Sequence, residues 1–132
     1  MKKLLICLAI GLNGCHPVFA DQITDDAKAT CQAVGNDSEE CIEIVSVDYV
    51  KAQMYGADMA HYKEVFDRVI IKHSLDRDVI DTCPEGNKAG CEKVAELTLN
   101  WYEKGYNAYQ SGAITAHDLN VYYGAEDDSL PN

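Results

Sequence analysis

The chain has 132 residues, of which 47% are hydrophobic and 25% are charged, a composition that is typical of one globular domain and argues against disorder. It carries 22 acidic residues against 11 lysines and arginines. Without Lys2 and Lys3, nine basic residues oppose 22 acidic ones, which gives a net charge of −13. Such a charge repels phosphate backbones and anionic lipid, so the composition argues against nucleic-acid and peripheral membrane binding and favours a basic protein partner.

The first 20 residues have the pattern of a secretory signal peptide. A positive start is followed by nine apolar residues over 4–12, too few to span a bilayer, and Val18 and Ala20 precede the predicted cleavage site. We expect cleavage after Ala20. Lipidation at Cys15 is the alternative, because residues 12–15 resemble a lipobox, and only the lipidated form would be held at a membrane. Either route exports the body of the protein, and we predict a periplasmic location.

Cysteine usage predicts two disulfides. Four cysteines remain once those of the leader are set aside: Cys31, Cys41, Cys83 and Cys91. An even number in an exported domain is typical of a disulfide framework. Three pairings are open, and we prefer the local one, Cys31–Cys41 with Cys83–Cys91, over the two crossed ones. Gaps of nine and seven residues do not match the close spacing of zinc ligands, so we predict no metal site and no cofactor.

The first half of the mature chain predicts two helices. Thr24 caps a helix over Thr24–Val34. Asp37 and Glu40 are then spaced as a capping box for a second helix. Residues 41–50 are rich in isoleucine and valine, which is also typical of a strand. We predict a helix, because no turn signal appears before Gly56.

The middle of the chain predicts an amphipathic helix over 57–72 and a shorter one from Ser74 to Asp81. The first has apolar residues at helical spacing, which predicts a buried stripe. The stripe consists of Tyr62, Val65, Phe66, Val69, Ile70 and His73. Residues 84–87 then have the composition of a turn.

The C-terminal part predicts the longest helix, over 88–110, and Gly112 ends it. Its buried stripe consists of Val94, Leu97, Trp101, Gly105 and Ala108. Thr115, with Asp118 three residues later, caps a last helix through Tyr123. Because no segment alternates with a period of two, we predict an all-α, compact bundle of five or six helices stapled by two disulfides. The predicted organisation is a signal peptide over 1–20, one helical domain over 21–125 and an acidic tail over 126–132.

Motifs for catalysis are absent from the sequence. It contains no glycine-rich phosphate loop, no Gly-x-Ser-x-Gly elbow and no His-Glu-x2-His helix. His61 and His73 are twelve residues apart, which turns them about 120° from each other on one helix, so they would not share a face as metal ligands do. We therefore predict that the protein is not an enzyme.

A combination of short motifs resembles a known family. Cys31 and Cys41 enclose nine residues, Tyr49 and Gly56 follow on the next helix, and Cys83-Pro84-Glu85-Gly86 precedes a long amphipathic helix. Over about residues 28–104 this pattern resembles the Rap/Tai-type immunity proteins of type VI secretion effectors. The resemblance implies an exported helical protein that neutralises an antibacterial effector, notably a peptidoglycan amidase, in the periplasm. It also implies a homodimer, by analogy with the family.

An inhibitor of this kind needs a complementary surface and no catalytic residues. We expect the effector, a basic protein, to meet an acidic patch beside the turn at Pro84–Lys88, with tyrosines as anchors, since tyrosine is favoured at interfaces. The predicted partner-binding residues are Asp76, Asp78, Asp81, Glu85, Tyr102 and Tyr106. The alternative function is a periplasmic helical chaperone or adaptor, which would be a lipoprotein if Cys15 were lipidated.

Overall fold

The computed structural model describes residues 19–126, so most of the predicted signal peptide and the tail from residue 127 lie outside the described residues. The described part contains five helices and no strand, which confirms the predicted all-α bundle. In chain order they are α1 (Ala20–Ala33), α2 (Glu39–His61), α3 (Arg68–Thr82), α4 (Lys88–Ser111) and α5 (Ala116–Glu126). Within residues 19–126, no helix combines the length and the apolar character needed to cross a bilayer.

The core is built around Trp101 of α4, which is fully buried. The ring of Tyr49 stacks on it at 6.5 Å between centroids, and the ring of Phe19 meets it edge-on at 6.0 Å. Its Nε1 atom donates a hydrogen bond of 2.9 Å to Asp26 Oδ2 in α1. Helices α1, α2 and α4 therefore meet at Trp101. We expect Trp101 to dominate the stability of the fold.

Two glycines allow α2 and α4, the most extensively packed pair of helices, to approach closely. A Cβ atom at Gly56 would lie 2.8 Å from the carbonyl carbon of Tyr102, and one at Gly105 would lie 2.6 Å from that of Gln53. Gly56, interpreted from the sequence as a turn signal, lies inside α2, which continues to His61, and this glycine serves packing. Gln53 is fully buried at the same crossing, and its side-chain amide has no hydrogen-bond partner among residues 19–126.

Both disulfides follow the local pairing that we preferred. Cys31 pairs with Cys41 and Cys83 pairs with Cys91, each with 6.1 Å between the Cα atoms. The first links the end of α1 to the start of α2, and the second links the end of α3 to the start of α4. In the chain-entropy account, each loop of this length stabilises the folded state by about 2.5–3 kcal/mol.

The beginnings of the first two helices differ from the prediction. Helix α1 begins at Ala20, because Thr24 does not cap: its hydroxyl donates 3.0 Å back to the Ala20 carbonyl within the helix. Ser38, not Asp37, caps α2, since its Oγ accepts a 3.2 Å hydrogen bond from the Cys41 amide. A hydroxyl next to the first turn thus replaces the predicted Asp–Glu capping box.

The predicted end of α4 at Gly112 and the predicted capping box of the last helix are confirmed. Gly112 ends α4 with a φ of 83°, a left-handed conformation that glycine adopts without a steric penalty. Asp118 Oδ2 accepts a hydrogen bond of 2.9 Å from the Thr115 amide, and Thr115 Oγ1 accepts one of 3.2 Å from the Asp118 amide. This reciprocal pair is the predicted capping box of α5, which runs three residues beyond the predicted end at Tyr123.

The middle of the chain contradicts the predicted helix over 57–72 and the separate helix from Ser74. Helix α2 ends at His61, a connection follows over 62–67, and α3 is one continuous helix. Lys63 has a φ of 58°, which breaks the helix, and the Asp67 carboxylate starts the next one by accepting hydrogen bonds from the first amides of α3. The stripe predicted to be buried therefore lies around a helix junction, and none of its six residues is buried. Phe66 is half-buried, and the other five are exposed: Tyr62, Val65, Val69, Ile70 and His73.

Candidate functional site

The most unusual surface feature is a group of large apolar side chains around the start of α3. Exposure reaches 67% at Tyr62, 84% at Val65, 77% at Val69 and 67% at Ile70. We call these four residues the α3 apolar patch. Apolar side chains concentrated on a surface in this way are typical of sites where another macromolecule binds.

The α3 apolar patch lies on an ordered support. The hydroxyl of Tyr106 donates a 2.8 Å hydrogen bond to the carbonyl of Glu64, and the ring of Phe66 lies 5.4 Å from the ring of Tyr106. Arg68 then joins α3 to α4, with an ion pair of 2.5 Å to Glu103 and a 2.8 Å hydrogen bond to Asn100. These contacts join the connection between α2 and α3, and the start of α3, to α4.

The two tyrosines predicted as anchors, Tyr102 and Tyr106, are half-buried and act within the molecule. Tyr106 holds the connection through Glu64. The ring of Tyr102 meets that of Tyr55 edge-on at 5.5 Å. Burial raises the pKa of Tyr102, and the nearby Tyr55 and the carboxylate of Asp78 raise it further. Tyr106 therefore supports the connection between α2 and α3, and Tyr102 packs on Tyr55 of α2.

Of the four acidic residues predicted to bind a partner, the structure brings two together. Asp76 and Glu85 line a groove of about 640 Å³ between α3 and α4. Asp78 and Asp81 are exposed on α3 but do not line this groove. The sequence prediction missed Glu92 and Glu96 of α4, which line it from the other side. The spacing of four residues places Glu92 and Glu96 on one face of α4. The Cys83–Cys91 pairing places that part of α4 beside the end of α3, so the two signals together could have located both residues.

A further run of acidic residues extends from the corner between α1 and α2 into the first half of α2. Five acidic residues fall within twelve positions there, with no lysine or arginine between Lys28 and Lys51: Asp37, Glu39, Glu40, Glu43 and Asp48. Partial burial raises the pKa of Asp48, and Lys51 opposes that shift. The sequence analysis did not single out this corner, although the absence of cations between Lys28 and Lys51 is visible in the sequence.

Titratable groups in the described part do not assemble into a metal site. No group of three or more histidine, cysteine, aspartate or glutamate side chains within residues 19–126 is placed to hold a metal ion. His61 contacts the hydroxyl of Tyr109 through Nδ1 at 2.7 Å, and this pair joins the end of α2 to α4. His73 and His117 are exposed on other helices.

Comparison with protein-family models, curated proteins and solved structures finds no match to this chain. Any function therefore has to be inferred from the surfaces and charges of the chain itself.

Proposed function

We propose that this protein is a periplasmic immunity protein, an inhibitor that binds and neutralises a secreted antibacterial effector, with peptidoglycan amidases as the candidate effectors. The observation that carries the proposal is the α3 apolar patch, whose side chains are displayed to solvent on a fixed support. Complete burial of a valine or isoleucine side chain contributes roughly 1.5–3 kcal/mol. Covering this patch would therefore contribute substantially to the stability of a complex.

The charge of the chain supports a basic partner. The acidic corner at Asp37–Asp48 and the excess of acidic residues elsewhere create a negative field around the molecule. Such a field accelerates association with a cationic protein by roughly 10- to 1,000-fold and weakens as salt is added. In this proposal the field guides the approach, and the α3 apolar patch provides the close contact.

The two disulfides support the role of an exported inhibitor. They fix both helical corners, including the one that joins α3 to α4. A binding surface that is rigid before association loses less conformational entropy when the complex forms. Disulfides of this kind persist in oxidising compartments such as the periplasm.

The second candidate function is a periplasmic helical chaperone or adaptor, because an exposed apolar surface also suits transient binding of unfolded clients. The two functions differ in the number of partners. An immunity protein binds one effector tightly, whereas a chaperone suppresses the aggregation of many unrelated proteins.

A growth-rescue assay tests the proposal. The protein is exported together with candidate antibacterial effectors, peptidoglycan amidases first, and growth is compared for the wild type, Val69→Ser/Ile70→Ser and Ile44→Ser. Ile44 is a matched control, because it is an isoleucine 50% exposed on α2 outside the patch. We expect rescue by the wild type and by Ile44→Ser, and loss of rescue by the double variant although its circular dichroism spectrum is unchanged. Rescue by all three proteins, or by none, would contradict the proposal.

A further inference from the structure

The groove between α3 and α4 combines apolar walls with charged edges. The side chains of Val79 and Ala95 and the Cys83–Cys91 disulfide contribute to its lining. Its volume of about 640 Å³ falls within the range of roughly 300–1,000 Å³ that is typical of ligand pockets in proteins. A chain segment with an apolar stem and a polar end would fit such a lining.

The charges at the groove do not balance. Six charged residues line it: Lys72, Asp76, Glu85, Lys88, Glu92 and Glu96. Each lysine has a carboxylate beside it: Lys72 lies 2.6 Å from Asp76, and Lys88 lies 3.9 Å from Glu92. Glu85 and Glu96 have no cation within ion-pair distance in the part of the chain that the structure describes. The groove therefore carries two uncompensated carboxylates.

We propose that this groove binds a short basic segment of the partner protein, with an arginine side chain as its central contact. Arginine combines an apolar stem, which suits Val79 and Ala95, with a guanidinium head that two carboxylates would attract. The carboxylates of the groove disfavour an acidic occupant, because they outnumber the two lysines and each lysine already has a carboxylate beside it. The identity of the protein that supplies the segment rests on the proposed function, whereas the chemistry of the groove does not.

The experiment uses a defined peptide and no effector. The isotope-labelled protein is titrated with acetyl-Gly-Arg-Gly-amide and, as the neutral control, with acetyl-Gly-Gln-Gly-amide, while amide signals are followed by nuclear magnetic resonance. We expect the arginine peptide alone to produce saturable shifts at Gly86 and Ala95, which both line the groove. Absence of saturable shifts, or shifts confined to other parts of the molecule, would overturn the proposal.

Two double variants separate local binding from general charge. Glu85→Gln/Glu96→Gln removes both uncompensated carboxylates of the groove, and we expect it to weaken binding about fivefold. Glu39→Gln/Glu40→Gln removes the same charge at the exposed start of α2, and we expect a change of less than about twofold. Equal weakening in both variants would show that the peptide responds only to net charge and would overturn the proposal.

The outcomes also distinguish this inference from the proposed function. Peptide binding in the groove without growth rescue would support the groove and contradict the immunity function. Growth rescue that depends on the α3 apolar patch, without peptide binding, would leave the immunity function standing and overturn the groove.

Discussion

Replacing Gly105 with alanine tests the close packing of α2 and α4. The added Cβ would lie 2.6 Å from the carbonyl carbon of Gln53, closer than real Cβ atoms approach such atoms. Because the neighbour is backbone, no side chain can rotate away, and the helices must separate. Overpacking costs about 1–3 kcal/mol, and we expect the upper end here. Alanine regains up to about 1 kcal/mol in helix propensity, so the expected net loss is about 2 kcal/mol.

Gly124 provides the matched control for this substitution. It also lies in a helix, but a Cβ atom added there meets nothing within 4 Å. Gly124→Ala should therefore be neutral or stabilise the protein by up to about 1 kcal/mol. The assay is urea denaturation followed by circular dichroism, which gives the free energy of unfolding of each variant. If Gly105→Ala were as stable as Gly124→Ala, the close approach of the two helices would be refuted.

Three further predictions concern stability. Val69→Ser/Ile70→Ser should change the free energy of unfolding by no more than about 0.5 kcal/mol per site, because both side chains are largely exposed; a larger loss in urea denaturation would mean that they are packed. Gln53→Met should stabilise the protein by about 1 kcal/mol, since it removes a buried amide without partners, and a loss of stability in the same assay would show that the amide is satisfied. Burial raises the pKa of Tyr49 from 10 to about 12, so the neutral phenol stabilises the fold below pH 10 and this contribution is lost as the pH rises toward 12. Tyr49→Phe should lack that part of the alkaline decline, and an identical decline in both proteins would contradict the assignment.

Much of the architecture is predictable because its signals are local. A left-handed residue after α4 requires glycine, and the sequence provides Gly112. The capping box of Thr115 and Asp118 satisfies helix amides within four residues. The apolar stripe predicted along α4 matches the side of the helix that packs on the core, because a helix with a single apolar face buries that face. The same reasoning favoured the local disulfide pairing, in which each bridge closes a short loop.

The errors arise where a distant part of the chain decides the outcome. Gly56 has the character of a helix end, but the backbone of Tyr102 requires a glycine there inside the helix. The stripe from Tyr62 onward has helical periodicity, which indicates an apolar face without indicating what covers it. In the structure no described residue buries Val65, Val69 or Ile70, and this prediction error is what reveals the α3 apolar patch.

The candidate site was predictable only in part. Asp76 and Glu85 both line the groove, Asp76 from the middle of α3 and Glu85 from the turn between α3 and α4. Glu92 and Glu96 could be added only once the second disulfide placed the start of α4 beside the end of α3. The tyrosines were predicted as anchors from residue type alone, and residue type does not distinguish an exposed phenol from one that supports a neighbouring loop, as Tyr106 does.

The central claim is that the α3 apolar patch contacts the effector. The most direct test is the dissociation constant for the effector identified by growth rescue, measured for the wild type, Val69→Ser/Ile70→Ser and Ile44→Ser. We predict that the double variant binds at least about tenfold more weakly, whereas Ile44→Ser changes the constant by less than about twofold. Equal affinity of the wild type and the double variant would contradict the account.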